Sequence, residues 1–325
     1  MKEEILIACD VGRHTSKALM NYNGKTFISM FRTKIQEINN LGMELEPGSF
    51  HVKYENIEYL IGDVVSEDYN IFDLDKTSLP QKIAVYTCIA DLLQKANLTP
   101  QNVTVRLAVN IPINMYKDAK LKQKYKSFIE NNGAKIFLSL NQKPFILTLS
   151  DITIAFEGMG VVFEQMENTK SISQTICIDI GGLNTTLCTF YGIQPNFDSM
   201  SVSNLGINVL KGKMGKAINE RYGIAVSAND LEQILQNGYL SHRGKINEDS
   251  KAVIEKIKSD FFLTIIQFAL SRSYTFNNAE IHFCGGGSLM LQEYIKEEFP
   301  NAKIVINPQF ANVRSFLKIL EVKYK

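Results

Sequence analysis

Apolar residues come in short runs at strand spacing at the start of the chain and at helical spacing further on. EILIAC (4–9) reads as a buried strand, and ALMNYNGKTFISMF (18–31) as two strands around an Asn23-Gly24 turn, so the first strand leads into an antiparallel meander. SFHVKYENIEYLIGDVV (49–65) predicts two more short strands. In SLPQKIAVYTCIADLLQKA (78–96) the apolar positions take helical spacing behind an N-cap serine, with Pro80 in the first turn. VTVRLAVNIP (103–112) is a buried strand closed by proline, and the segment from Tyr116 to Asn132 is a lysine-rich amphipathic helix. Strand, hairpin, helix, strand, helix makes an α/β domain.

The pattern then restarts. MENTKSISQT (166–175) is the most polar stretch near mid-chain and is expected to be the hinge region. After it, TICIDIGGLNTTLCTF (175–190) repeats the opening: an apolar strand, an Asp, a Gly two residues on, a hydroxyl-rich turn and another strand. NLGINVLKGKMGKAINERYG (204–223) predicts a glycine turn entering a helix, and 249–274 a further helix with FFLTIIQFAL at its buried centre. AEIHFCGGGSLMLQEYIKEEF (279–299) is a strand, a triple glycine and a helix; a last strand, a proline break and a final helix complete the chain.

Length changes the picture first: 325 residues exceed the usual size of one hydrophobic core, so two domains are expected. With a formal net charge of +1, the whole chain has no electrostatic reason to bind nucleic acid or an anionic membrane directly. The lysines at 117, 120, 122, 124 and 126 have only Tyr116 and Tyr125 as aromatic company, and read as a solvated helix face. Neither a signal peptide nor an apolar run of about 20 residues is recognisable, so a place inside the cell, the cytoplasm, is expected. Cys9, Cys88, Cys177, Cys188 and Cys284 are widely spaced and odd in number, which suits reduced structural thiols; the four dispersed histidines lack the spacing of a transition-metal site.

The chemistry lies in the turns. Asp-x-Gly after a strand is alone a common tight turn. Two of them, one opening each half, can present backbone N–H groups and hydroxyls to one phosphate chain. Asp10 and Asp179 would then repel a polyphosphate unless a hard cation intervened, and magnesium held mostly through water suits that arrangement. Lys17 can bring positive charge to the β- or γ-phosphate. CGGGS (284–288) adds a strand ending in three glycines before a helix, which lets backbone come against a ligand.

With these three elements in this order, the sequence resembles the superfamily of actins, heat-shock chaperones and sugar kinases. CDVGRHTSK resembles its first phosphate motif, ICIDIGGLNTT the second and HFCGGGSLM the adenosine motif. Within it, VKYENIEYLIGD, VNIPINMY, AFEGMGVVF, LGINVL and NPQFANVRSF resemble the ParM-type, plasmid-segregating bacterial actins, and together the likeness covers almost the whole chain.

The resemblance implies an α/β, actin-like two-domain ATPase fold, with duplicated ribonuclease H-like domains flanking a nucleotide cleft. Domain I would comprise residues 1–166 with the final helix 309–325 packed back on it, and domain II residues 167–308. It also implies ATP or ADP, with GTP as an alternative, together with Mg2+, and head-to-tail filaments that hydrolysis destabilises. Asp10 and Asp179 would orient magnesium and the attacking water, and Glu157 in AFEGMG would polarise that water. The implied nucleotide contacts are Gly12, Arg13, Ser16 and Lys17 in the first turn, and Gly181, Gly182, Asn184 and Thr185 in the second. Gly206 would lie close by, and Gly285, Gly286, Gly287 and Ser288 would wall the nucleotide. Arg13 and His14 stand where many relatives have a small residue or asparagine, so Arg13 is either an extra phosphate ligand or points into solvent. The implied partners are the chain itself and a ParR-like DNA-binding adaptor on centromeric plasmid DNA, with no membrane. A small-molecule kinase of the same superfamily would need a larger substrate pocket. A chaperone ATPase would need a substrate-binding domain, and an MreB-like scaffold an amphipathic membrane segment.

Overall fold

The computed structural model describes residues 4–42, 44–69, 76–98, 103–163 and 174–324. The stretch expected as the hinge, 166–175, lies outside these except for Gln174 and Thr175. The chain divides into two compact units, Met1–Met159 with Asn312–Lys325, and Gly160–Ala311.

In the first unit β1 (Glu4–Val11), β2 (Thr15–Tyr22) and β3 (Lys25–Arg32) form the expected meander. Asn23 and Gly24 both have positive φ (49° and 72°), the conformation that matches a two-residue turn to the twist of its strands. β4 (Ile35–Ile38), β5 (Ser49–Tyr54) and β6 (Ile57–Gly62) follow, then α1 (Leu79–Lys95) and β7 (Val103–Ile111). Ser78 stands at the N-cap of α1 in extended conformation, yet its hydroxyl caps nothing. The lysine-rich segment is two helices, α2 (Ile113–Lys117) and α3 (Ala119–Ile129), where one was expected. Asp118 divides them, because its carboxylate accepts hydrogen bonds from the Lys120 and Leu121 N–H groups and starts a new helix. β8 (Ile136–Leu140) and the long β9 (Lys143–Phe156) complete a sheet of order β3-β2-β1-β7-β9-β8-β5-β6-β4. α1 packs against β1–β3, burying Tyr86, Ile89, Leu92 and Leu93 in a core where each such apolar side chain contributes about 1.5–3 kcal/mol.

The second unit opens with β10 (Gln174–Ile180), β11 (Thr185–Tyr191) and β12 (Gln194–Ser203), again an antiparallel meander. α4 (Ile207–Tyr222) and α5 (Ala228–Asn237) follow; Gly223 and Gly238 end them in the left-handed conformation, and Ser227 with Asp230 forms a capping box on α5. A small hairpin, β13 (Leu240–His242) and β14 (Lys245–Asn247), precedes the long α6 (Glu248–Ser271). β15 (Ala279–Cys284), the short helices α7 (Gly287–Met290) and α8 (Gln292–Glu298), and β16 (Lys303–Ile304) close the unit. The sheet order is β12-β11-β10-β15-β16, with β15 parallel to both neighbours. Position for position this repeats β3-β2-β1-β7-β9 of the first unit: three antiparallel strands, then two parallel ones. All five cysteines are buried, and none is in a disulfide. No helix among the described residues is long and apolar enough to cross a membrane.

The final helix, α9 (Ala311–Tyr324), packs on the first unit. There Asp151 of β9 accepts hydrogen bonds from Lys126 and Lys323, each at 2.8 Å, and from the Tyr324 hydroxyl. Burial works against the ionised carboxyl, but these three donors outweigh it and hold Asp151 well below the usual carboxylate range. A carboxyl with a lowered folded-state pKa stabilises the fold above its unfolded value, and loses that contribution as pH falls through the folded one. Wild-type protein is therefore expected to lose stability below about pH 4 more steeply than Asp151→Asn. The variant should be less stable by roughly 1 kcal/mol at pH 7, the partial exposure of the site limiting the effect. Thermal melts between pH 7 and pH 3 would check this; parallel curves for the two proteins would refute it.

Candidate functional site

Both copies of the repeated sequence place their aspartate at the same structural position. In the first unit Asp10 lies opposite Lys17, and Val11 opposite Ser16, across the β1–β2 ladder. In the second, Asp179 lies opposite Thr186 and Ile180 opposite Thr185 across β10–β11. Each aspartate is thus buried at the end of a strand, two residues before a turn glycine, with Lys17 and Thr186 occupying matching positions.

Gly12 has no room for a side chain: a Cβ there would stand 2.8 Å from the Thr15 carbonyl oxygen. The Val11 peptide is gripped on both sides. Its N–H donates to Asn110 Oδ1 at 3.2 Å, and its carbonyl accepts from Lys76 Nζ at 2.8 Å and Gln81 Nε2 at 3.0 Å. Glu157, just after β9, is tied by its backbone N–H to the Ile111 carbonyl at 3.2 Å. Its Oε1 lies 3.4 Å from both Lys76 Nζ and Asn110 Nδ2. Burial raises the Asp10 carboxyl above its ordinary pKa; Lys17 and Lys76 oppose the rise and Glu157 adds to it.

In the second unit the Gly181 N–H donates to the Asn184 carbonyl at 2.8 Å, closing the turn on itself. The Gly181 and Gly182 carbonyls accept from the Ile207 and Asn208 N–H groups of α4 at 3.1 and 2.9 Å. Gly206 must be glycine, because a Cβ would collide with the Gly182 and Leu183 backbone. Gly285 has φ +80°, and a Cβ on it would collide with the Ile180 carbonyl and the Asp179 carboxylate. Gly287 packs on Ile180, whereas a Cβ on Gly286 would meet nothing within 4 Å.

The model of the actin like proteins N terminal domain matches residues 8–160. No curated protein matches the chain. Among solved structures it is similar to the Alp12 filament structure, at 27% identity over 99% of each chain with a TM-score of 0.73. It is also similar to a ParM of a 15-stranded filament from Clostridium botulinum, at 20% identity over 99% of this chain and 100% of that one, with a TM-score of 0.78. An archaeal actin homologue in complex with ADP matches at 14% identity over 98% of this chain and 99% of that one, TM-score 0.75.

The chain has the actin-like fold.

Three of the residues expected to touch nucleotide have their hydroxyls engaged within the fold. Ser16 is fully buried and its hydroxyl is bonded to Thr33 Oγ1 at 2.8 Å. Thr185 Oγ1 donates to the Leu205 carbonyl at 2.6 Å, and the buried Ser288 hydroxyl to the Cys284 carbonyl. These three hydroxyls hold turns and strands together. Arg13 and Asn184 are half-buried in their turns, and Lys17 is half-buried beside Asp10. The first unit brings together Asp10, Gly12, Lys17 and Glu157; the second brings together Asp179, Gly181, Gly182, Gly206 and the triple glycine. Sequence reasoning missed Lys76, Gln81 and Asn110. Only Asn110 carried a signal, as an amide inside the apolar run VTVRLAVNI.

The donor set suits magnesium. Asp10 is a buried carboxylate whose oxygens are of the kind a hard cation takes. No group of three or more His, Cys, Asp or Glu among the described residues competes as a protein-built metal cage. A cation held by few carboxylates and mostly by water and phosphate oxygens fits such a site.

Proposed function

We propose that this chain is a ParM-like actin that binds ATP with magnesium, assembles head to tail into a filament and hydrolyses the nucleotide within it. We further propose that, in the cytoplasm, the filament moves plasmid DNA through a ParR-like DNA-binding adaptor. The observation that carries the nucleotide reading is the register match of Asp10 and Asp179 in the two units, each at the strand end before a glycine turn. The filament reading draws on the similarity to Alp12 and ParM filament structures, and the adaptor on the ParM likeness.

Phosphoryl transfer to water needs positioning and charge neutralisation more than covalent help. Asp10 and Asp179 would hold magnesium through water, and the ion would neutralise phosphate oxygens when bound. Lys17 would offer its ammonium to the phosphate chain, each turn would offer backbone N–H groups, and Gly286 would leave room for the nucleoside. Glu157 accepts a hydrogen bond from the attacking water and orients it. ATP drives assembly only as far as it binds the polymer-competent conformation better, by about 1.4 kcal/mol for each tenfold shift. A contact between copies that does not close into a ring then propagates as a helix.

The test follows light scattering and phosphate release together after adding magnesium and ATP, with GTP and a non-hydrolysable analogue in parallel. Scattering should rise with ATP and decay as phosphate appears, and should persist with the analogue. Nucleotide binding without assembly at any protein concentration would reject the filament and favour a small-molecule kinase.

A further inference from the structure

Lys76 is a cation in a nearly closed site: its side chain is 2% exposed, against 20% for Glu157. Its ammonium has two partners of different kinds, the Val11 carbonyl at 2.8 Å and Glu157 Oε1 at 3.4 Å. We infer that Lys76 is a positioning residue for hydrolysis, which fixes the Glu157 carboxylate against the first phosphate turn by holding both on one ammonium group. The inference rests on the reading of Glu157 as the carboxylate that orients the attacking water.

Two features separate this from a purely structural role. The Val11 carbonyl already accepts from Gln81 Nε2 at 3.0 Å, so a neutral amide suffices for that acceptor. Burying an ammonium is costly unless an opposite charge stands beside it, and Glu157 is that charge. The connection is also made twice. Asn110 accepts the Val11 N–H and donates to the same Glu157 oxygen, so two side chains join the peptide between Asp10 and Gly12 to one carboxylate oxygen. Both reach Oε1. Displacement of a reacting group by about 1 Å can lower a rate by about 10²-fold, so the loss of one tether is measurable in the chemical step.

The experiment compares Lys76→Met, Lys76→Arg, Glu157→Gln and the double variant Lys76→Met/Glu157→Gln. It reads single-turnover phosphate release, affinity for a fluorescent ATP analogue, and thermal stability without nucleotide. Lys76→Met should lower kcat by about 10- to 100-fold while nucleotide affinity changes by less than about threefold. Lys76→Arg, which keeps the charge, should recover most of the rate. In the Glu157→Gln background Lys76→Met should add no further loss, because its effect passes through that carboxylate. If Lys76→Met does not fold, Lys76→Gln, which keeps a donor for Val11 and removes the charge, takes its place. A wild-type kcat in either folded variant, an equal loss in the Glu157→Gln background, or failure of both to fold would overturn the inference. Wild-type phosphate release by Glu157→Gln alone would instead reject the role of Glu157.

Discussion

Glu157→Ala is expected to assemble with ATP and to release phosphate about 10²–10⁴-fold more slowly than the parent chain, the usual contribution of a positioned general base. The substitution removes the carboxylate and little else. The backbone at this position is held by the hydrogen bond from the Glu157 N–H to the Ile111 carbonyl, which alanine keeps. The side chain is part exposed, so no large cavity is left in the core. What remains is Lys76 without its counter-charge, which lowers stability of the nucleotide-free protein by an amount that water reaching the site limits. Filaments of the variant should therefore persist after ATP addition, with scattering that no longer decays. The check is phosphate release measured in the same cuvette as scattering. Rapid disassembly with phosphate release at the parent rate would remove Glu157 from the mechanism, and with it the inference about Lys76.

The second effect follows from how the repeated topology was legible. Strand periodicity, the Asn23-Gly24 turn and the two Asp-x-Gly turns marked the first meander and the first two strands of the second, because their determinants are local. β4, β8, β9 and β12 were not recognised. β9 alternates buried and half-buried positions over Phe145–Leu149, and the register shift that skips Ser150 between the pairings of Val105 and Arg106 breaks the phase. The helix 116–132 was misread because helical apolar spacing runs through Asp118, whose capping role depends on the backbone turning extended there. Within the site, motif position located Asp10, Asp179 and the glycines, but not the direction of hydroxyl groups. Ser16, Thr185 and Ser288 turn to Thr33, Leu205 and Cys284, partners that are set by packing and invisible in a motif. Lys76 and Gln81 lie far in sequence from the Val11 carbonyl they reach, and nothing in their own neighbourhood announces it.

The triple glycine separates packing from binding within three residues. Gly285→Ala is expected to lower the melting temperature by about 10 °C. A side chain in the left-handed region costs about 1–2 kcal/mol, and the added Cβ would collide with the Ile180 carbonyl and the Asp179 carboxylate, neither of which can move without disturbing the end of β10. Gly286→Ala has the opposite expectation: its backbone is helical (φ −65°, ψ −27°) and its Cβ direction is open, so the nucleotide-free protein should melt at or above the parent temperature. If Gly286 walls the nucleotide, that methyl group occupies space the nucleoside needs, and affinity for ATP should fall about tenfold through overpacking. The two variants, compared by thermal melts and by titration with a fluorescent ATP analogue, divide the motif. Stability lost at Gly285 and affinity lost at Gly286 would make CGGGS a built nucleotide wall on a strand end that tolerates no side chain. Parent affinity in Gly286→Ala would reduce the motif to a close strand-to-helix turn and move the nucleoside contact elsewhere in the second unit.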